Sequence, residues 1–224
     1  MFSKYLVWLF LVLGGCAFPS YDMKGRFVHR FTGGPLSNIQ LAPAFISPDG
    51  KSAIHSHKSV YTDQAGEFSL PLPQTVKEGN QVAFLFVSQN NCYLSGSAWL
   101  ERHAGGETWF SVSDNLGRIA TTRFDTSGIN IGDIPIWPAV DLEISSDIPI
   151  QVMVEYGNGG GQGGGNYALR HRVISAVPLN YPVRLRVTDQ SGQVYRSVSS
   201  KLDLVQGCRP LAVRFQRGGT FLYK

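Results

Sequence analysis

The sequence lacks the apolar spacing of three and four residues that marks an amphipathic helix, in every window of about a dozen residues. It also has little charge, with 16% Asp, Glu, Lys and Arg, whereas glycine (25 residues) and aromatic residues (12%) are plentiful. Short segments rich in β-branched and aromatic residues, separated by Gly, Pro and Asp, are typical of strands and tight turns. The sequence therefore gives helix little support and predicts an all-β fold.

Long apolar runs are also missing. A helix that crosses a bilayer needs about 20 apolar residues, and the apolar run at the N-terminus is too short for this. The N-terminal run, residues 6–13, follows Lys4 and ends directly before Gly14, Gly15 and Cys16. A positive start, a short apolar run and small residues before a cysteine resemble the signal peptide of bacterial lipoproteins, in which a lipobox ends at the cysteine.

This resemblance implies that residues 1–15 are removed and that Cys16 carries acyl chains, which anchor the protein stably to a membrane. In lipoproteins an Asp after the cysteine favours retention at the inner membrane, so Ala17 implies the outer membrane. The anchored body then faces the periplasm or the cell surface. An ordinary secretory signal with an incidental cysteine, or an uncleaved anchor, is the alternative.

Cysteine is scarce, with three in the chain. Besides Cys16 there are Cys92 and Cys208, which can form a disulfide in an oxidising envelope. In the chain-entropy model a bridge over so long a loop stabilises the fold by roughly 4–5 kcal/mol. It would tie the C-terminal strands to the first half of the chain. Two buried free thiols are the alternative.

Basic residues are concentrated at the C-terminal end, where residues 170–224 hold ten Lys and Arg against two Asp. Arg184 and Arg186 alternate with apolar residues, which is typical of a half-buried strand with a solvated face. We favour this interpretation over a surface for anionic lipid, acidic glycan or an acidic partner. Nucleic acid is not expected as a partner, because no recognition motif is present.

Residues 25–138 carry three stretches with a common pattern. Residues 25–41 give a strand, a Gly-Pro turn and a second strand; residues 61–72 give a hairpin-like turn and a strand; residues 129–136 give a strand whose apolar phase changes at Gly132. The pattern resembles the carboxypeptidase regulatory-like, or transthyretin-like, β-sandwich. This resemblance implies a scaffold, preceded by a tether at residues 16–24. Residues 82–87 are apolar on both faces, which predicts a central, buried strand.

Residues 139–224 contain short strand-like segments at the spacing of an immunoglobulin-like β-sandwich: 140–144, 150–156, 169–174, 183–189, 194–200 and 211–215. The sequence therefore predicts a second, smaller sandwich, and one enlarged sandwich is the alternative. The glycine-rich residues 157–166 are predicted to be a flexible loop. They are not a phosphate-binding loop, because no helix follows them.

Two groups of residues are candidate ligand sites. His55 and His57 share one face of an extended strand and could hold Zn²⁺ or Cu²⁺, although exposed histidines near a turn are the favoured interpretation. Trp99 and Trp109 could stack on a sugar ring or contact a partner, although core positions are favoured for these aromatic residues. No cofactor is predicted.

We therefore expect an outer-membrane-anchored lipoprotein that acts as a non-catalytic binding or assembly module of the bacterial cell envelope. Its partners would be the membrane, through the anchor, and an envelope protein or a glycan. The alternative is a glycan-binding module that uses Trp99, Trp109, Arg184 and Arg186. The second alternative is an envelope hydrolase, but Ser95-Gly96-Ser97 lacks the nucleophile-elbow motif and no enzyme is predicted.

Overall fold

The computed structural model describes residues 21–46, 53–55, 59–72, 82–88, 90–102, 107–123, 129–163, 169–202 and 208–223 of the chain. These residues form strands and contain no helix, which confirms the predicted all-β fold. No helix in this part of the chain is long and apolar enough to cross a membrane. The strands are β1 (Tyr21–His29), β2 (Ile39–Ile46), β3 (Ala53–His55), β4 (Val60–Tyr61), β5 (Glu67–Leu72), β6 (Val82–Ser88), β7 (Gly96–Arg102), β8 (Thr108–Asp114), β9 (Gly117–Arg123), β10 (Ile129–Ile136), β11 (Ala139–Tyr156), β12 (Gly161–Gly163), β13 (Leu169–Pro178), β14 (Pro182–Asp189), β15 (Val194–Arg196), β16 (Ser200–Lys201), β17 (Leu211–Gln216) and β18 (Thr220–Tyr223).

Strands β1 to β10 form a β-sandwich of two sheets. One sheet has the order β10-β1-β5, and the other has the order β3-β2-β6-β7-β8-β9 with β4 also beside β2. Because side chains alternate across a strand, each sheet turns every second residue inward. The inward residues pack into one core with a phenylalanine cluster, in which the Phe27 and Phe86 ring centroids are 5.1 Å apart.

Strand β10 changes the face that its side chains present at Gly132, as its sequence predicts. This glycine has φ +72°, and the register with β1 shifts at the same point. The bulge lets isoleucines of both phases reach the core: Ile129, Ile131, Ile134 and Ile136. Pro135 lies in the same strand, at the predicted edge of the three-stranded sheet, where a missing N–H group is tolerated.

Strand β6 is central in its sheet, between β2 and β7, but the prediction that both of its faces are buried is wrong. Phe84 and Phe86 are fully buried, whereas Leu85 and Val87 are each 40% exposed. The inner face of β6, with Phe84 and Phe86, is covered by the three-stranded sheet. No described strand covers its outer face, so Leu85 and Val87 remain partly exposed.

Strands β11 to β18 form a third sheet around one long strand. The first part of β11 pairs with β13 on one side and with β17, in parallel, on the other; its second part pairs with β12 and β14. The predicted strands 140–144 and 150–156 are therefore one continuous strand, whose pairing with β13 shifts register between Ser145 and Ile150. Its even-numbered residues stay on the inner face, from Val140 to Tyr156.

Two further expectations for this region differ from the structure. The glycine-rich segment is not all loop, because Gly161–Gly163 forms β12 and pairs with β11. The segment predicted as a strand at residues 194–200 is regular only at Val194–Arg196, before β16 begins at Ser200.

The buried residues fall into two clusters along the chain. One runs from Met23 to Ala139, and the other from Val140 to Phe215. Leu116, at the tip of the β8–β9 hairpin, packs against both clusters. Two sandwich domains, at residues 25–138 and 139–224, stay a prediction, because the hairpin tip and the disulfide described below join the two cores.

Candidate functional site

Part of the predicted site lies outside the described residues. Cys16 is in the N-terminal segment that the structure does not describe, so its lipidation stays a prediction. His55 belongs to β3, where it pairs with Ala44, but its side chain and the whole of His57 are outside the described set. The predicted metal site at these histidines is therefore not tested. Elsewhere among the described residues, no group of three or more His, Cys, Asp or Glu side chains could hold a metal ion.

Cys92 and Cys208 form a disulfide, with their Cα atoms 5.1 Å apart. Cys92 lies between β6 and β7 in the first half of the chain, and Cys208 lies three residues before the start of β17 in the second half. A backbone hydrogen bond lies beside the disulfide. The N–H of Ala139, the first residue of β11, donates to the carbonyl oxygen of Cys92 at 2.7 Å. The disulfide and this hydrogen bond therefore join the two halves of the chain at the same place, which we call the junction.

Trp99 and Trp109 lie on the outer face of the seven-stranded sheet. Their neighbours in sequence, Ala98 and Phe110, point inward and are fully buried. The interpretation of the two tryptophans as core residues is therefore wrong, although both are half-buried. Trp99 is opposite Ser111 in the β7–β8 pairing, and Ser111 is two residues from Trp109 along β8. The pleat of adjacent strands thus brings both indoles to one face.

The same outer face carries apolar side chains that are well exposed. Leu85 and Val87 are each 40% exposed on β6, and Tyr61 is 46% exposed on β4. The register joins them, since Gln40 of β2 pairs with both Val87 and Tyr61. We call Tyr61, Leu85, Val87, Trp99 and Trp109 the apolar face. Exposed apolar side chains grouped on one sheet face are typical of interaction surfaces.

A shallow groove of about 340 Å³ lies at one end of the apolar face. Leu85 and Trp99 line it together with polar residues of β7, β8 and the turns beside them: Ser95, Ser97, Ser113 and Asn115. Gly96 lies beneath it, and a Cβ atom there would collide with the ring of Phe86 and the carbonyl oxygen of Ser113. The glycine therefore lets β6, β7 and β8 pack closely under the groove.

A chain of aromatic rings crosses the junction between the two cores. The Trp137 ring makes edge contacts with Phe31 at 5.2 Å and with Tyr181 at 5.3 Å between centroids, and Tyr181 contacts Tyr156 at 6.4 Å. The guanidinium carbon of Arg30 lies 4.5 Å from the centroid of the Trp137 ring, which is a cation–π distance. These contacts, together with the disulfide, fix the two halves to each other.

Asp114, in the β8–β9 turn, has an unusual environment at this junction. Its Oδ1 atom accepts hydrogen bonds from the backbone N–H groups of Leu116 (2.7 Å) and Gly117 (3.1 Å), whereas Oδ2 is buried without a partner among the described residues. Burial raises the pKa of Asp114, although the backbone bonds and the charge of Arg30 oppose this. Burial and the nearby Asp114 raise the pKa of Tyr156 to about 12.

The basic C-terminal strands present a mixed surface. Arg184 and Arg186 lie on the outer face of β14, and Glu155 of the adjacent β11 is 3.5 Å from Arg186 and 3.7 Å from Arg196. This supports the interpretation of a solvated face. Arg184 and Arg186 belong to the third sheet, whereas Trp99 and Trp109 belong to the seven-stranded sheet. The structure therefore does not place these four residues on one sheet face.

Sequence reasoning missed a cleft of about 600 Å³ on the outer face of the three-stranded sheet. Its side chains are charged and polar, including Lys24, Glu67 and Ser69. Arg26 donates two hydrogen bonds to the carboxylate of Asp133, at 2.9 and 2.7 Å, and these lower the pKa of Asp133. The bulge in β10 places Asp133 opposite Arg26, and no local sequence signal reveals that long-range pairing.

No protein-family model matches the sequence, and no curated protein matches it. Solved structures with partial similarity include a 9R-lipoxygenase from Cyanothece (15% identity, TM-score 0.30), a streptococcal ancillary pilin (10%, 0.31) and a proposed cell adhesion protein from Bacteroides ovatus (10%, 0.30). They match 54%, 88% and 93% of this chain, which spans 17%, 63% and 96% of their lengths. These TM-scores are too low to carry over any property of those proteins to this chain.

Proposed function

We propose that this chain is a lipid-anchored, non-catalytic binding module of the bacterial cell envelope, which presents the apolar face to another envelope component. The observation that carries the proposal is the exposure of Leu85, Val87 and Tyr61 on the same sheet face as Trp99 and Trp109. In a sheet with one face in water, the outward residues are normally polar. The outward apolar residues of this sheet therefore support a binding role.

The anchor and the rigid body support the same proposal. The lipobox-like segment ending at Cys16 would hold the protein at the outer membrane, and residues 16–24 would serve as a tether. The disulfide and the aromatic chain at the junction keep the two cores in a fixed relation, which limits the entropy lost when a partner binds.

The anchor is tested by growing expressing cells with a radioactive or clickable fatty acid. The full chain should be labelled and recovered with the outer membrane, and Cys16→Ala should lose the label. Labelling that persists in the Cys16→Ala variant would contradict the anchor.

The binding surface is tested by chemical crosslinking in intact cells, followed by mass spectrometry of what copurifies. Val87→Asp places a charge in the apolar face and should remove the crosslinked components. Ser69→Asp, which adds the same charge to an exposed position of the three-stranded sheet, is the matched control and should retain them. Equal crosslinking in wild type and both variants would rule out the apolar face as the binding surface.

A further inference from the structure

The groove at the end of the apolar face combines a flat aromatic side chain with uncharged polar groups. Trp99 and Leu85 give it an apolar part, and Ser95, Ser97 and Ser113 line the same groove. Asn115 adds an amide, which can donate and accept hydrogen bonds.

Such a lining matches the chemistry of a sugar ring. A pyranose has a face of C–H groups that packs on an indole and a rim of hydroxyl groups that both donate and accept hydrogen bonds. Serine hydroxyls and an amide have the same dual capacity. A shallow groove with one stacking side chain and a few polar groups can therefore orient a sugar without enclosing it.

The side chains that line the groove favour a neutral ligand. Of the six side chains Leu85, Ser95, Ser97, Trp99, Ser113 and Asn115, none is ionised at neutral pH. Asp114 also borders the groove, but its Oδ1 atom is bound to the turn and its Oδ2 atom is buried. Arg118 of β9 is opposite Ser113 in the β8–β9 pairing but does not line the groove, and Arg184 and Arg186 lie on a different sheet.

We infer that this groove is a binding subsite for a neutral saccharide, with Trp99 as the stacking platform and Asn115 and the serines as hydrogen-bond partners. The inference rests on the proposed function, because the groove opens on the apolar face, and it names the class of ligand that this face takes.

The test is saturation-transfer NMR on the full chain, held in a detergent that has no sugar head group. The probes are maltotriose, mannotriose and the trimer of N-acetylglucosamine, with sialyllactose as the charged comparison. At least one neutral trisaccharide should bind with a Kd of about 1 mM, which is typical of an open groove with few contacts. Trp99→Ala should weaken this binding about tenfold or more, and Trp99→Phe should retain most of it because it keeps a flat ring.

Two exposed positions keep the test independent of folding defects. Asn115→Ala, in a surface turn, should weaken the same trisaccharide about threefold, which corresponds to one lost hydrogen bond of modest strength. Tyr223→Ala removes an exposed aromatic side chain of β18, outside both the apolar face and the groove, and should leave the affinity for the trisaccharide unchanged. If the far-ultraviolet circular dichroism spectrum shows that Trp99→Ala is unfolded, the affinity of Asn115→Ala decides the result.

Three results would overturn the inference: no neutral trisaccharide binding up to about 20 mM, unchanged affinity in both Trp99→Ala and Asn115→Ala, or binding of sialyllactose alone. If crosslinking in cells still depends on Val87 in these cases, the proposed function stands and the saccharide subsite is removed. If crosslinking is also unchanged by Val87→Asp, both fail.

Discussion

The two outer faces of the first sandwich differ sharply, although they belong to one core. The outer face of the three-stranded sheet carries Lys24, Arg26, Glu67 and Asp133, whereas the outer face of the seven-stranded sheet carries the apolar face. Both sheets turn equivalent apolar residues inward, so the difference is not required for folding. Burial in the core explains why the inward residues of both sheets are apolar. It does not explain why the outer residues of one sheet are charged and those of the other apolar, and this difference needs a functional explanation.

A large loss of stability is expected from a change on the inner face of strand β6, and a small one from a change on its outer face. Phe84→Ala should lower the free energy of unfolding by about 3–5 kcal/mol, because it leaves a cavity in the phenylalanine cluster. Leu85→Ala, one residue away on the apolar face, should cost less than about 1 kcal/mol. Urea denaturation of both variants measures this. A loss of similar size at Leu85 would mean that the apolar face is packed in the free protein.

The second prediction concerns the junction that holds both faces in place. Replacing Cys92 and Cys208 together by serine should lower the free energy of unfolding by about 4–5 kcal/mol, less any strain that the bridge imposes on the folded state. Guanidinium denaturation of the oxidised wild type and the double variant checks this. Wild type and variant with equal midpoints under oxidising conditions would mean that the bridge does not stabilise the chain.

A smaller, pH-dependent effect is expected at Asp114, beside the groove. Its folded pKa is raised above the unfolded value of about 3.9, so the folded state binds the proton more tightly. The charged carboxylate therefore destabilises the fold at neutral pH, and this penalty disappears as the pH falls through the folded pKa toward about 4. Asp114→Asn, which keeps the acceptor for the turn, should remove this part of the pH dependence.

Thermal unfolding between about pH 4 and 7 compares wild type with Asp114→Asn. Asn115→Ala, which changes the next residue of the same turn without removing a carboxyl group, is the control and should keep the wild-type pH profile. If wild type and Asp114→Asn have parallel profiles, Asp114 is not desolvated in the folded state.

The smallest effect is expected on the outer face of the three-stranded sheet, which we call the charged face and which carries Lys24, Arg26, Glu67 and Asp133. Arg26→Met removes the two hydrogen bonds to Asp133, so the pKa of Asp133 should rise toward its ordinary value. The depressed pKa contributes stability above about pH 4 that is lost as the pH falls further, but exposed ion pairs contribute little. NMR titration of the Asp133 carboxyl measures the shift. An unchanged pKa in Arg26→Met would contradict the pairing.

Sequence was sufficient where local pattern decides the structure. The all-β class, the Asp63–Gly66 turn and the bulge at Gly132 follow from alternation and from residues that tolerate positive φ. Asp63 Oδ1, for example, accepts from the N–H groups of Ala65 and Glu67, which is a turn that Asp favours in any context.

Sequence was insufficient where distant segments decide the structure. Trp109 and Phe110 are adjacent and both aromatic, and only the register with β7 and β9 determines which of them points inward. The run in β6 is apolar at every position, so alternation is absent and the exposed face cannot be read from it. Burial and the charge of Asp114 raise the pKa of Tyr156, and Asp114 is remote in sequence and is brought near by the β8–β9 hairpin.

The most direct test of the proposed binding surface is photocrosslinking in living cells with a benzophenone amino acid at two exposed positions of the same sandwich. One protein carries it at Val87, on the apolar face, and the other at Ser69, on the charged face. We predict a discrete crosslinked product of higher mass from Val87 and none from Ser69. Equal crosslinking from both positions, or a product from Ser69 alone, would contradict the account.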